Sequence, residues 1–129
     1  MDRKIFLDNL SRLLERIGIH PDVIVEIVAE LKHSGNEAGF VSVLEARLKF
    51  LNEHGIQATI HKEFEPIEKG VYSMHIAGKG FNMRVLYAFS DGAPVLLLAF
   101  HEISGHKTTD YTGKVSVSLG RLKEFKEGI

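Results

Sequence analysis

Residues 69–111 read KGVYSMHIAGKGFNMRVLYAFSDGAPVLLLAFHEISGHKTTDY, and this stretch decides the fold. Two runs in which apolar and polar residues alternate, Val71–Ile76 and Phe81–Phe89, precede an almost wholly apolar run, Pro94–Phe100. Ser90-Asp91-Gly92 separates the last two runs and is a tight-turn signal, because glycine tolerates positive φ and aspartate can bond its own backbone. The stretch therefore predicts a three-stranded antiparallel meander whose last strand is the most buried.

Titratable side chains follow the last strand of this meander. His101 and Glu102 come directly after the apolar run, and His106 and Lys107 follow Gly105 a few residues later. Polar groups just beyond the end of a buried strand are where binding and catalytic sites are often built. The structural alternative is a satisfied, buried histidine at position 101 and an exposed loop at positions 106 and 107.

The remainder of the chain predicts helices that cover the sheet. Apolar residues recur at helical spacing in Asp2–Ile17, in Pro21–His33, in Phe40–His54 and in a last segment from Thr108 or Thr109 to Glu127. Two of these segments also carry strand-like residues, at positions 23–25 and 115–118, so a strand is the alternative there.

One further strand is predicted before the meander. Ile56–Phe64 alternates apolar with polar residues and is followed by Glu65-Pro66, which predicts an edge strand that stops at the proline. The predicted fold class is α+β: N-terminal helices packed on a twisted antiparallel sheet of about four strands, followed by a C-terminal helix. We expect residues 1–129 to form a single domain.

Composition excludes several classes of protein. Lys and Arg number 16 against 17 Asp and Glu, so the net charge is −1 and the surface is not coated in positive charge for nucleic acid. There is no cysteine, hence no disulfide framework and no thiolate metal site. The start of the chain has no long apolar region typical of a signal peptide. The longest apolar run, Ala93–Phe100, is far shorter than the roughly 20 residues that span a bilayer, so we expect a soluble, cytoplasmic protein without membrane contact.

An ordered set of segments resembles a known family. The segments are Leu51–Gly55, Lys69–Ile76, Met83–Phe89, Val95–His101 and His106–Thr108, followed by Val115, Ser118 and Arg121. Together they resemble the RelE/ParE superfamily of toxins from bacterial toxin–antitoxin systems, closest to its phage-derived, HigB-like branch. The resemblance covers about residues 40–126, and residues 1–35 form a helical N-terminal extension without a counterpart.

The resemblance implies a type II toxin that acts as a ribosome-dependent messenger RNA endoribonuclease. It implies attack of a ribose 2′-hydroxyl on the adjacent phosphate, without a metal or another cofactor. Such a reaction needs a base, a cation for the charge on the phosphorus centre and an acid for the leaving oxygen. The implied partners are a cognate antitoxin protein, the ribosome and messenger RNA.

The resemblance also implies roles for individual residues. Arg84 falls where the family carries an arginine that binds the scissile phosphate. The base and acid groups of the family fall in the segment that here contains His101, His106, Lys107 and Tyr111. The structural alternatives are an exposed strand arginine paired with a carboxylate at position 84 and simple packing of the tyrosine at a helix start.

Two further residues are candidate RNA contacts. His75 falls on a strand where some relatives carry a basic residue. Lys79 lies at a predicted hairpin tip, although Gly78-Lys79-Gly80 is too short for a phosphate-binding loop. His101, Glu102 and His106 supply no helical ligand pair and no convincing third ligand, so no metal site is predicted.

A second function of a different class fits the same residues. Where the HigB-like branch carries a Lys-Lys pair after the apolar strand, this chain has His101-Glu102-Ile103. The alternative is a non-catalytic protein of the same fold that binds a protein partner, of antitoxin or gyrase type. Catalysis requires His75, Arg84, His101 and Lys107 to converge on one concave face, whereas a binding module would leave them scattered.

Overall fold

The computed structural model describes residues 4, 8, 11–12, 15–102 and 111–128, and these residues form a mixed α/β fold. The three helices are α1 (Pro21–Ser34), α2 (Glu37–His54) and α3 (Lys114–Lys126). The five strands are β1 (Gly18–Ile19), β2 (Phe64–Glu68), β3 (Val71–Gly78), β4 (Phe81–Ser90) and β5 (Ala93–His101). A 3₁₀ helix covers Gly55–Ile60.

The meander predicted for residues 69–111 is confirmed as the centre of the sheet. The strands lie in the order β1-β5-β4-β3-β2, and β2 to β5 pair antiparallel. Asp91 and Gly92 join β4 to β5 with φ of 52° and 79°. Two consecutive positive φ values match the right-handed twist of the flanking strands, which is why this short turn closes the hairpin.

Helices cover both faces of the sheet. Successive side chains of a strand point to opposite faces, and on one face Met74, Val85 and Tyr87 form the main core with α1 and α2. The predicted helix at residues 40–54 is confirmed, and its Leu44, Leu48 and Leu51 are fully buried. On the other face, α3 covers only part of the sheet. There, its Val115 packs with Val71, Leu86 and Leu98.

The strand predicted for Ile56–Phe64 is wrong. Residues 55–60 form the 3₁₀ helix, in which Ile56 and Ile60 are 64% and 76% exposed, and the strand begins only at Phe64. A short alternation of apolar and polar residues cannot by itself separate a strand from a tight helix. Pro66 does not end β2 either, because this strand lies at the sheet edge, where a residue without a backbone N–H is tolerated.

The sheet is mixed and has five strands, rather than about four antiparallel ones. β1 runs parallel to β5, with Gly18 opposite Val95 and Ile19 opposite Leu96. The backbone N–H of His20 extends this ladder by donating to the Leu96 carbonyl at 3.0 Å. A strand of two residues is too short to carry an alternation, so the sequence does not predict it.

The terminal helices agree with the predictions in part. Residues 4, 8, 11 and 12 are helical, α1 matches the predicted second helix, and positions 115–118 are helical. α3 begins at Lys114, and Thr108 and Thr109 lie outside the described residues. Val23, Ile27 and Leu31 of α1 belong to the main core. None of the helices formed by the described residues is long and apolar enough to cross a membrane.

Candidate functional site

His75 on β3 and Arg84 on β4 are directly paired across the two strands. The hairpin between them has only Lys79 and Gly80 at its tip, so the register is not shifted. Directly opposed residues of an antiparallel pair point to the same face. Alternation along the two predicted strands places Arg84 on the same face as His75, and the observed pairing confirms this prediction. The shared face is the one opposite to α1 and α2.

The guanidinium of Arg84 is held by two carboxylates. Its Nε donates to Oε2 of Glu102 at 3.0 Å, and its Nη1 lies 3.5 Å from Oε1 of Glu65. The side chains of Arg84 and Glu102 are each 15% exposed. A hydrogen-bonded ion pair with this little exposure is screened less by solvent than a surface pair.

His75 is held by polar groups at both ring nitrogens. Nδ1 lies 2.9 Å from Oε2 of Glu63, and Nε2 lies 2.7 Å from Oδ1 of Asn82. Nε2 also lies 3.3 Å from the same Glu102 oxygen that accepts from Arg84. The imidazole and the guanidinium thus share one carboxylate.

Tyr111 joins this group from the segment before α3. Its Oη lies 2.8 Å from Oε1 of Glu65 and 2.9 Å from Oγ of Ser73. Burial is the largest influence on this phenol and raises the pKa of Tyr111 above its ordinary value, with a further contribution from Glu65. Tyr111 is therefore protonated at neutral pH and can donate a proton.

These side chains form one continuous group, which we call the Arg84 cluster. Its members are Glu63, Glu65, Ser73, His75, Asn82, Arg84, Glu102 and Tyr111. Arg84, His75 and Tyr111 were predicted from the sequence as site residues, whereas no role was predicted for the three glutamates. Glu63 directly precedes β2 and Glu65 is its second residue, and this alternation was missed because the strand was predicted to end at Phe64.

The other predicted site residues do not join the Arg84 cluster. His101 is paired with Met83, a core residue, and its Nδ1 lies 2.9 Å from Oε1 of Glu30 on α1. Lys79 is exposed at the tip of the β3–β4 hairpin, and its carbonyl accepts from Asn36 at 2.7 Å. His106 and Lys107 lie outside the described residues.

A β-bulge explains the position of His101. Leu86 pairs with Leu98 and Tyr87 with Leu96, so Leu97 is an extra residue in β5. Without that residue, continuation of the register from the Asp91-Gly92 turn would set His101 opposite Asn82, on the face of the Arg84 cluster. One inserted residue moves every later side chain of a strand to the other face. The bulge therefore sends His101 towards α1.

The bulge has the reverse effect on the next residue. Glu102 now follows β5 beside Asn82, and its backbone N–H donates to the Asn82 carbonyl at 2.8 Å. Its carboxylate then reaches Arg84 and His75. The residue that the bulge places at the site is therefore an acid instead of a histidine.

Arg121, one of the residues that carry the resemblance, forms an ion pair and a hydrogen bond within the fold. Its Nη1 and Nη2 lie 2.9 and 3.1 Å from the two carboxylate oxygens of Glu26 on α1, and Nη1 also donates to the Leu97 carbonyl. Oε1 of Glu26 accepts from the backbone N–H of Ala99. This ion pair ties α1 and α3 to the free edge of β5 beyond the short strand β1.

The Arg84 cluster brings carboxylates, an imidazole, a guanidinium and a phenol together. Across the described ranges, no group of three or more His, Asp or Glu side chains is arranged to hold a metal ion. A surface cavity of about 600 Å³ lies beside Tyr111, between the start of α3 and the turn after β2.

No known protein family, no curated protein and no solved structure matches this chain.

Proposed function

We propose that this protein is a ribosome-dependent messenger RNA endonuclease of the toxin–antitoxin type, with the Arg84 cluster as its active site. The observation that carries the proposal is the union of a cation, a carboxylate and a protonated phenol in one group. Arg84 and Tyr111 both lie against the same oxygen of Glu65. Transfer of a phosphoryl group to a ribose 2′-hydroxyl requires these three kinds of group: a base, a cation and an acid.

The proposed reaction assigns one task to each of these residues. Glu65 removes the proton from the 2′-hydroxyl, the 2′-oxygen forms a bond to phosphorus, and the bond from phosphorus to the 5′-oxygen breaks. Arg84 stabilises the charge that develops on the phosphate oxygens. Tyr111 gives its proton to the leaving 5′-oxygen, and the products are a 2′,3′-cyclic phosphate and a 5′-hydroxyl.

The contact between Glu65 and Tyr111 also completes the cycle. After the reaction the Glu65 carboxylate holds the proton taken from the 2′-hydroxyl, and the Tyr111 phenol has given its own proton to the 5′-oxygen. The two oxygens are 2.8 Å apart, so the proton can return directly. His75 lies beside Arg84 and serves as an RNA contact. The proposed roles of His106 and Lys107 stay predictions from the resemblance.

Two further observations support the proposal. The segments that resemble the RelE/ParE superfamily include β3, β4 and β5, which hold His75 and Arg84 and lead into Glu102. The resemblance implies helices packed on a twisted sheet, and the observed mixed α/β layers agree with it at that level. A cognate antitoxin protein is then the expected partner.

Expression in a bacterium that lacks the partner tests this function. We expect growth arrest, with messenger RNA cut on translating ribosomes and new 5′-hydroxyl ends at the cuts. The arrest should disappear for Arg84→Ala and persist for Arg16→Ala, an exposed arginine outside the cluster. Wild-type protein that accumulates without affecting growth or transcripts contradicts the proposal.

A second function is favoured by the charge of the cluster and by the position of His101, which lies on the other face of the sheet and does not converge with His75 and Arg84. The cluster contains three carboxylates, Glu63, Glu65 and Glu102, but only one guanidinium, and two of these carboxylates contact Arg84. Phosphate contacts dominate affinity for RNA, so such a face suits a protein partner with basic side chains. Two results together would favour this non-catalytic binding module over the endonuclease. Expression of the wild-type protein would be harmless, and the purified chain would bind the purified product of the neighbouring gene.

A further inference from the structure

We propose that a second site next to the Arg84 cluster binds one nucleobase of the RNA. It is a surface cavity of about 370 Å³ at the end of the β3–β4 hairpin, and its walls include His33, His75, Phe81, Asn82 and His101. The identification of RNA as the ligand rests on the proposed function. The cavity itself can be tested with free nucleosides.

The cavity contains an oriented imidazole. The side chain of His101 is 48% exposed, whereas that of Glu30 is 6% exposed. Nδ1 of His101 lies 2.9 and 3.1 Å from the two Glu30 oxygens, and the Asn82 backbone N–H donates to Glu30 Oε1 at 3.4 Å. A buried carboxylate thus fixes the ring of an exposed histidine, and a ligand in the cavity would meet Nε2.

The imidazole ring of His33 packs against that of His101. The rings of His33 and His101 are 5.8 Å apart at an interplanar angle of 80°. The pair therefore brings two aromatic rings, nearly at right angles to each other, to the wall of one cavity. Histidine is among the side chains on which the splayed bases of single-stranded RNA stack.

The cavity adjoins the proposed phosphate site at the end of the sheet. His75 belongs to both, because it lines the cavity and is paired with Arg84. Asn82 lies two residues before Arg84 on the same face of β4, roughly 7 Å along the strand. A phosphate at Arg84 therefore leaves its neighbouring base within reach of the cavity.

The lining favours an uncharged heteroaromatic ring over a phosphate. Among the described residues that form its walls there is no lysine or arginine, and the nearest charged partner of the lining histidines is a carboxylate. Oδ1 of Asn82 is engaged by His75, so the amide nitrogen is the group that can donate to a base. A base presents both ring faces for stacking and acceptors on its edges.

Histidine ring signals in the NMR spectrum of the full chain provide the test. The probes are adenosine, guanosine, cytidine and uridine, with ribose and inorganic phosphate as controls. We expect at least one nucleoside to shift the signals of His33, His75 and His101 in a saturable way. The signals of His20, His54 and His61, which lie outside the cavity, should not move.

Two variants and a matched control extend the test. His101→Ala and His33→Ala should each weaken nucleoside binding roughly tenfold or more, the usual effect of losing one aromatic stacking partner. His54→Ala removes an exposed histidine from the far end of α2 and should leave binding unchanged. Circular dichroism of each variant establishes that it is folded.

Three results would overturn the nucleobase site. They are shifts that spread equally over all histidines, a stronger response to inorganic phosphate than to any nucleoside, and wild-type affinity in both folded cavity variants. Saturable nucleoside binding without growth arrest would refute the endonuclease but keep the site. Growth arrest without nucleoside binding would refute the site but keep the endonuclease.

Discussion

His75 and Arg84 face each other across β3 and β4, and one oxygen of Glu102 lies within 3.3 Å of both side chains. In the proposed endonuclease, this carboxylate would occupy the place beside His75 and Arg84 where a phosphate of the RNA binds. Glu102 thus holds Arg84 in position, but it has the same charge as that phosphate. On this proposal, RNA binding would require the Glu102 carboxylate to move away or to tolerate the phosphate.

Replacement of Glu102 by glutamine should increase RNA binding and cleavage. The amide keeps the shape and an acceptor for Arg84 but removes the charge, and one unit charge at this partly screened distance is worth about 1–4 kcal/mol. We therefore expect an increase on the order of tenfold or more in kcat/KM for a short RNA. The matched control is Glu68→Gln, an exposed glutamate on β2. An unchanged or lower kcat/KM in folded Glu102→Gln contradicts the idea that Glu102 competes with phosphate.

Arg84→Ala should abolish most of the cleavage while the protein stays folded. Loss of one group that stabilises charge in the transition state typically lowers the rate by roughly 10²–10³. Arg84→Lys should recover only part of it, because an ammonium cannot bind a phosphate through two parallel hydrogen bonds. Single-turnover cleavage of a defined RNA measures both variants, and an Arg84→Ala rate equal to wild type would remove Arg84 from the mechanism.

Leu48→Ala should destabilise the fold by about 2–5 kcal/mol, because the substitution leaves a cavity between α2 and the sheet. Leu48 is fully buried on the face of α2 that packs in the main core. Lys49→Ala, on the exposed side of the same helix, should change the stability by no more than about 0.5 kcal/mol. Urea unfolding of the two variants provides the comparison. Equal midpoints would contradict the assigned packing.

Tyr87 should make the protein sensitive to alkali. Its ring is fully buried, and its Oη has no hydrogen-bond partner among the described residues. Burial, and to a smaller extent Tyr72, raises the pKa of Tyr87 well above its ordinary value. The unfolded chain then loses the phenolic proton first, so the free energy of unfolding falls as the pH rises above about 10.

Tyr87→Phe tests this origin of the alkaline sensitivity. The variant should lose part of the pH dependence, and at neutral pH it should be more stable by about 1 kcal/mol, because a buried hydroxyl without a partner is removed. Tyr72→Phe, whose ring stacks on Tyr87 but is only partly buried, should keep the pH dependence. Melting temperatures of both variants, measured from neutral to alkaline pH, provide the comparison. A destabilised Tyr87→Phe variant would show that the hydroxyl has a partner.

Local patterns were sufficient for the centre of the fold. The alternation in residues 71–89, the Asp91-Gly92 turn and the helical stripe of Leu44, Leu48 and Leu51 act between near neighbours in the chain, and all three predictions are confirmed. Alternation also favoured a shared face for His75 and Arg84, but the sequence left open a shift of register by one residue in the Ala77–Asn82 connection, and the two-residue turn of the structure excludes that shift. The predictions failed at residues 56–64 and at the two-residue strand β1, where the periodic signal is too short to distinguish one structure from another.

The composition of the candidate site depended on contacts between distant segments. Glu65, Glu102 and Tyr111 come from an edge strand, the end of β5 and the start of the last helical segment, and no local pattern relates them. The decisive feature is the extra residue Leu97 in β5, which exchanges the faces of His101 and Glu102. The sequence by itself determined which residues alternate along each strand. Only the tertiary structure decided the cross-strand register, because a bulge forms where packing on both faces of the sheet favours it, and the register gave the site a glutamate in place of a histidine.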